Sequence, residues 1–277
     1  MGLFNWFGSD EKVEEQTPIK QQVDFSNFTK ITDFIYMKSG ITDLDKRALT
    51  SSRVQQYAVS KNIYKTDDFL NEMKNNNEFY QEILNIVTVN ETFFLRESKE
   101  LEWLVEYIKK ENRPLKILSM PSSSGEEVYS ILLMLDKANI DISNINITGY
   151  DINSQAVWNA INGEYDEHSL HKIGMDERNK YFTKNSNDLY EISPFLKKQT
   201  SFLQQNIFEI RNENSKYDVV LSRNMFIYFD NEKRKIALDT IVNMLKLNGI
   251  YIKGHADHIY KHPKLKSVCY GVYVKNN

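Results

Sequence analysis

Two hydrophobic rhythms divide this chain. From Phe25 to about Val89 the apolar residues recur at helical spacing. Phe28, Ile31, Phe34 and Ile35 share one face, and Gly40 offers a stop. Leu44, Ala48, Leu49 and Tyr57 mark a second helix, with Asp43 as its candidate cap. Thr66 opens a third with Phe69, Leu70 and Met73, while Phe79, Ile83, Leu84 and Val87 mark a fourth. The pattern predicts an all-α domain over 21–89. A linker, 90–100, then leads into a helix carrying Leu101, Leu104, Val105 and Ile108.

Past that helix the rhythm becomes strand, loop, helix. A short apolar run (Leu115, Ile117, Leu118) is interrupted by Pro121 and three serines, then resumes with Val128, Ile131, Leu132 and Leu135 at helical spacing. That is the opening unit of an α/β nucleotide-type site. Ser124 and Glu127 stand at capping-box spacing, and Gly125 between them permits close backbone approach. INITGYDIN, 145–153, reads as a second strand ending in Asp151. A carboxylate there suits a ribose, and it equally suits the cap of a helix beginning near Ser154.

Two short helical patterns, Tyr165 to Ile173 and Asp176 to Phe182, precede a predicted strand pair near 183–200. Phe202 to Asn206 is the candidate third main strand, ending at Asn206-Ile207. Val219 to Leu221 forms a buried strand running into Arg223-Asn224, with Tyr228 beyond. A long helix with Ile236, Leu238, Ile241, Val242 and Leu245 is expected to stop at Asn248-Gly249, and GIYIKGH and YGVYVK to close the sheet as an antiparallel hairpin. The catalytic unit implied runs over 101–277.

Composition narrows the chemistry. With 277 residues, 41% hydrophobic and 26% charged, this is globular composition. The net charge of −3 gives no support to a nucleic-acid binder. A single cysteine, Cys269, excludes an internal disulfide framework and suits a cytoplasmic setting; it is expected buried in a strand. No stretch reaches the roughly 20 apolar residues of a membrane span. Residues 1–20 read as a mobile tail in which Leu3, Phe4, Trp6 and Phe7 form an apolar knot without a basic flank. His255, His258 and His262 lack an acid or cysteine partner, so no metal is expected.

The strand tips bring Glu126, Asp151, Asn206, Arg223 and Asn224 to one rim, with Arg96 arriving from the linker. No G-x-G-x-x-G is present, so a pyrophosphate cradle is poorly supported. One glycine with carboxylates suits a cofactor bearing ribose and a cation, of which S-adenosylmethionine is an example.

Four motifs then carry a resemblance. VNETFFLR (89–96) is similar to T-N-x-T-x-F-F-R, SMPSSSGEEVYS to S-A-G-C-S-T-G-E-E-P-Y-S, GYDIN to a strand end T-D-I-D, and SRNMFIYF to C-R-N-V-M-I-Y-F. Over roughly 25–265 the chain resembles the CheR family, which esterifies receptor glutamates in bacterial chemotaxis. The resemblance implies a Rossmann-like class I methyltransferase sheet with a small β-subdomain, preceded by the all-α domain. It implies S-adenosyl-L-methionine as cofactor and S-adenosyl-L-homocysteine as product. Asn90, Thr92, Arg96, Glu126, Asp151, Asn206, Ile207, Arg223 and Asn224 would bind the cofactor, and the catalytic pair would be Arg96, near the transferred methyl, and Tyr228, beside the sulfonium. The partner implied is the cytoplasmic helical region of methyl-accepting chemotaxis receptors. Pro121, Met120, Val128, Asn153 and the segment HAD (255–257) depart from the family pattern. Pro121 motivates a rival reading, a non-catalytic member that binds cofactor or receptor as a scaffold, and the presence of Arg96, Asp151, Asn224 and Tyr228 opposes it. The segment SSRVQQY is poorer in arginine than the family's docking helix, and no receptor C-terminal tether is expected.

Overall fold

The computed structural model describes residues 28–277 apart from 43, 45–47 and 212. The expected tail, the helix start at Phe25 and the Asp43 cap lie outside the described residues. Four helices come first: α1 (Phe28–Ser39), α2 (Ala48–Ser60), α3 (Thr66–Asn75) and α4 (Asn77–Val87). Their apolar stripes meet in a core of their own that includes Ile31, Ile35, Val54, Phe69 and Ile83. The Asn76 side chain accepts the Phe79 N–H at 3.0 Å, capping α4. Gly40 ends α1 at φ +73°, a left-handed conformation open to glycine.

The α/β part follows in the order α5 (Ser98–Glu111), β1 (Leu115–Ser119), α6 (Glu126–Lys137), β2 (Ile145–Asp151), α7 (Ser154–Asn162), β3 (Glu164–Tyr165), α8 (Met175–Tyr181), β4 (Phe182–Lys184), β5 (Tyr190–Ile192), α9 (Pro194–Lys197), β6 (Thr200–Gln204), β7 (Tyr217–Ser222), α10 (Asn231–Met244), β8 (Leu245–Lys253), β9 (Leu265–Cys269) and β10 (Val272–Lys275). Among the described residues the main sheet has the order β6-β2-β1-β7-β8-β10-β9. Pairing is parallel from β6 to β8 and antiparallel at β10 and β9. The order reverses between β1 and β7, so the crevice at their C-terminal ends is a topological switch point. Strand β1 is buried on both faces, as a central parallel strand must be. Helix α6 covers one face with Val128, Ile131, Leu132 and Leu135, all fully buried. Truncating such a leucine to alanine costs about 2–5 kcal/mol.

Several local expectations are corrected. Ser124 does not cap α6; its hydroxyl turns to Glu126, and Glu127 is drawn away to Ser119 and Arg223. The cap of α7 is Asn153, which accepts the Ala156 N–H, and not Asp151. Helix α10 ends at Met244, before Asn248-Gly249. Those two residues lie inside β8, where the β7–β8 register jumps and Lys246–Gly249 bulge out. The predicted helix from Tyr165 to Ile173 is instead the short β3 followed by turns. The expected strand pair is a three-stranded sheet, β3-β5-β4. β10 does return antiparallel beside β8, but β9 adds an outer edge strand. Cys269 lies at the end of β9 and is exposed, because nothing in the described chain covers that edge.

Candidate active site

At the switch point the chain closes a cavity of about 220 Å³. Its floor is the loop after β1 (Met120, Pro121, Ser122, Ser123), joined by Asp151 from the tip of β2 and Arg223-Asn224 from beyond β7. Its roof is the linker from Val89 to Phe93 with Arg96, together with Ile41 after α1 and Val87 in α4. The helical unit therefore supplies part of the wall. The seam between the units is polar. Gln81 Nε2 donates to the Ile152 carbonyl at 3.0 Å, Asn153 Nδ2 to Thr88 Oγ1 at 2.7 Å, and Tyr36 to Asp230 at 2.6 Å.

Asp151 is buried at the cavity wall. One carboxylate oxygen accepts the Ser123 N–H and the other the Asn153 N–H, both at 2.8 Å. Burial pushes its carboxyl up to about 6, against the pull of those N–H groups. The Ser122 and Ser123 hydroxyls are buried on the same wall with no hydrogen-bond partner among the described residues. Buried polar atoms are ordinarily satisfied, so orphaned hydroxyls beside a carboxylate suit a polar ligand. Ribose hydroxyls and an amino-acid end fit this donor and acceptor set.

Arg223 is a brace. Its guanidinium is buried and donates to Glu127 Oε2 at 2.7 Å and to the backbone carbonyls of Arg96 at 2.6 Å and Glu97 at 3.0 Å. Glu127 also accepts from Ser119 at 2.8 Å. Glu97 is further held by the His255 N–H at 3.1 Å. Burial would raise the Glu97 carboxyl, but the His255 N–H and Arg223 outweigh it and keep it low. Arg96 is thereby fixed at its own main chain while its side chain stays half-exposed in the cavity, donating to the Glu91 carbonyl. Asn224 adopts φ +61°, a left-handed conformation that asparagine takes up more readily than most non-glycine residues. Buried Asp257 holds it there, accepting the Asn224 N–H at 2.6 Å and the Phe226 N–H at 2.8 Å. A Cβ at Gly254 would meet the Asn224 nitrogen at 2.9 Å, so that approach requires glycine.

The structure gathers Asn90, Thr92, Arg96, Asp151, Asn206, Ile207, Arg223, Asn224 and Tyr228 around one cavity. Asn206 donates to the Lys38 carbonyl at 2.8 Å, tying the α1 end to the rim. The Tyr228 hydroxyl reaches the Val89 carbonyl at 3.2 Å. Glu126, expected among the cofactor contacts, faces away from the cavity. It is buried against Ser124 at 2.8 Å and Ser169 at 3.5 Å, and burial pushes its carboxyl up to about 7. Glu127, one residue on, faces the cavity instead. A one-residue step on a helix turns the side chain about 100°, and the Gly-Glu-Glu spelling alone does not say which glutamate turns inward. Glu97 and Asp257 belong to the site as well; Glu97 carries no signal in the sequence, and Asp257 only its place in the HAD segment after a strand. Met120 and Pro121 form cavity wall without closing it.

The profile described as CheR methyltransferase, SAM binding domain, matches residues 90–273. A chemotaxis protein methyltransferase from Campylobacter jejuni is 33% identical over 239 residues, covering 86% of this chain and 89% of that protein. Chemotaxis protein methyltransferase 2 from Vibrio cholerae is 30% identical over 250 residues, covering 84% and 85%. Among solved structures, the methyltransferase domain of bacterial CtHen1-C overlaps 57% of this chain and 64% of its own, at 16% identity and a TM-score of 0.36.

Proposed function

The chain belongs to the CheR family of S-adenosylmethionine-dependent methyltransferases, and on that premise we propose that it esterifies glutamate side chains in the cytoplasmic helical region of chemotaxis receptors. The helical unit over 21–89 would meet the receptor, the linker 90–100 would carry the residues that touch substrate, and 101–277 would bind cofactor. A cytoplasmic location goes with that partner.

When bound, S-adenosylmethionine supplies an electrophilic methyl group on a sulfonium. Asp151 would accept from ribose hydroxyls, assisted by the Ser122 and Ser123 hydroxyls. Glu127 offers a carboxylate to a cationic amino group, and Asn90, Thr92, Asn206, Ile207 and Asn224 line the remaining wall. A glutamate carboxylate is ionised at neutral pH, so no general base is required. What the protein must do is align and desolvate that carboxylate. Arg96 can hold it through two N–H groups, and the Tyr228 hydroxyl can orient it from the facing loop.

The observation that carries this reading is the sharing of one cavity by the buried Asp151 carboxylate, Arg96 and Tyr228. Calorimetric titration with S-adenosylmethionine and S-adenosylhomocysteine tests it on wild type and Asp151→Ala. Binding near micromolar Kd that weakens about 10- to 100-fold in the variant, in line with the loss of a buried charge-assisted hydrogen bond, is expected. Folded wild type that ignores millimolar cofactor would leave only the scaffold reading.

A further inference from the structure

The methyl-transfer reading uses Arg96 but leaves two other basic groups around Phe93 without a role. Phe93 is part of the cavity wall and is partly exposed. The His171 ring lies 4.6 Å from its ring centroid, Lys172 Nζ at 4.8 Å and the Arg96 guanidinium carbon at 5.9 Å. His171 and Lys172 belong to the turns between β3 and α8, far from Phe93 in sequence. That segment is pinned to the cavity. The Phe94 N–H donates to the Ser169 carbonyl at 3.0 Å, Leu170 and Ile173 are buried, and Arg178 donates to both their carbonyls at 2.8 and 3.1 Å.

Lys172 is exposed and has no ion-pair partner among the described residues; nearby Glu167 and Glu177 are taken by Arg178 and Lys137. A cation over an exposed ring is worth only about 0.5–1 kcal/mol. Two like charges held around one ring also repel each other. An arriving anion would relieve both conditions.

We propose that Lys172, backed by His171, forms with Arg96 a cationic rim that reads a second carboxylate on the substrate helix, one turn from the glutamate being esterified. This rests on the methyl-transfer reading above. The two cationic heads can be no farther apart than their distances to the Phe93 centroid combined. Side chains three or four residues apart on a helix have Cβ atoms about 5–6 Å apart, which falls within that limit. Arg96 takes the reacting carboxylate, and Lys172 selects among helical sites by their acidic neighbours. A rim charge of this kind acts on encounter and KM more than on the chemical step.

The test is methylation kinetics of wild type, Lys172→Ala and Lys172→Glu on a soluble helical receptor fragment. One fragment retains the acids within a turn of the methylated glutamate, and a second carries glutamine there. On the first fragment Lys172→Glu is expected to raise KM about fivefold or more at low salt, with Lys172→Ala in between. The kcat and the cofactor Kd stay at their wild-type values, and on the second fragment the three enzymes converge. Equal KM for all three on the acidic fragment overturns the rim while leaving methyl transfer intact, as does an equal loss on both fragments. Failure of wild type to methylate either fragment would sink the methyl-transfer reading, and the rim with it.

Discussion

Asp151 and Arg223 are both buried and charged, yet they do different work. Asp151 spends two oxygens on backbone N–H groups and still borders the cavity, with its carboxyl raised to about 6 by burial. If its ionised form binds the ribose, cofactor affinity should be full above about pH 7 and fall as pH drops through about 6. Calorimetry between pH 5 and 8 checks this, and Asp151→Asn should show weak binding with a flat profile. Arg223 spends its hydrogen bonds on protein groups, with only Nε left over. Removing one partner of a buried ion pair costs about 3–5 kcal/mol. Arg223→Met should therefore lower the unfolding free energy measured by denaturant titration by that amount and misplace Arg96. Arg96→Lys leaves that brace in place, so it should lower kcat on receptor at near-normal stability.

At the scale of elements, the strand-loop-helix unit from β1 to α6 was legible because its apolar spacing switches from strand to helix at the serines. The contacts inside the loop were not. Whether Glu126 or Glu127 faces the cavity depends on where the helix begins, and Gly125 at φ +93° sets that start without any side-chain cap. Glu126 instead ties α6 to Ser169 in the pinned segment. Its carboxyl is raised from the ordinary value of 4.5 to about 7, so the folded state holds its proton more tightly than the unfolded state does. Its contribution to stability is full below about pH 4.5 and is lost as pH rises through about 7. Glu126→Gln should remove that loss, raising the thermal midpoint at pH 8 by about 2–4 °C per kcal/mol recovered and leaving it little changed at pH 5. The β8 bulge was hidden for a related reason, since Asn-Gly reads as a helix stop and strand pairing with β7 overrides it.

Across the whole molecule, the four-helix unit and the sheet were readable from periodicity, while the seam between them was not. It is made of amides and hydroxyls, Gln81, Asn85, Asn153 and Ser154 among them, which carry no periodic signal. Because α1 and α4 complete the cavity wall, this seam couples cofactor binding to the docking of the two units. Asn85→Ala removes hydrogen bonds to both the N–H and the hydroxyl of Ser154, a loss of about 1–2 kcal/mol. The cofactor Kd should rise by up to about five- to thirtyfold, the change that loss converts to, with the helical core intact by circular dichroism.

Transfer of a methyl group to a carboxylate is identified by the bond it forms. Protein, methyl-labelled S-adenosylmethionine and a helical receptor fragment would be incubated together, and the labelled fragment then treated with mild alkali. A glutamyl ester releases its label as methanol, and that release is expected from wild type, with its near-complete loss in Asp151→Ala. Label that stays on the fragment through alkali, or no label transferred by protein that binds the cofactor, would contradict it.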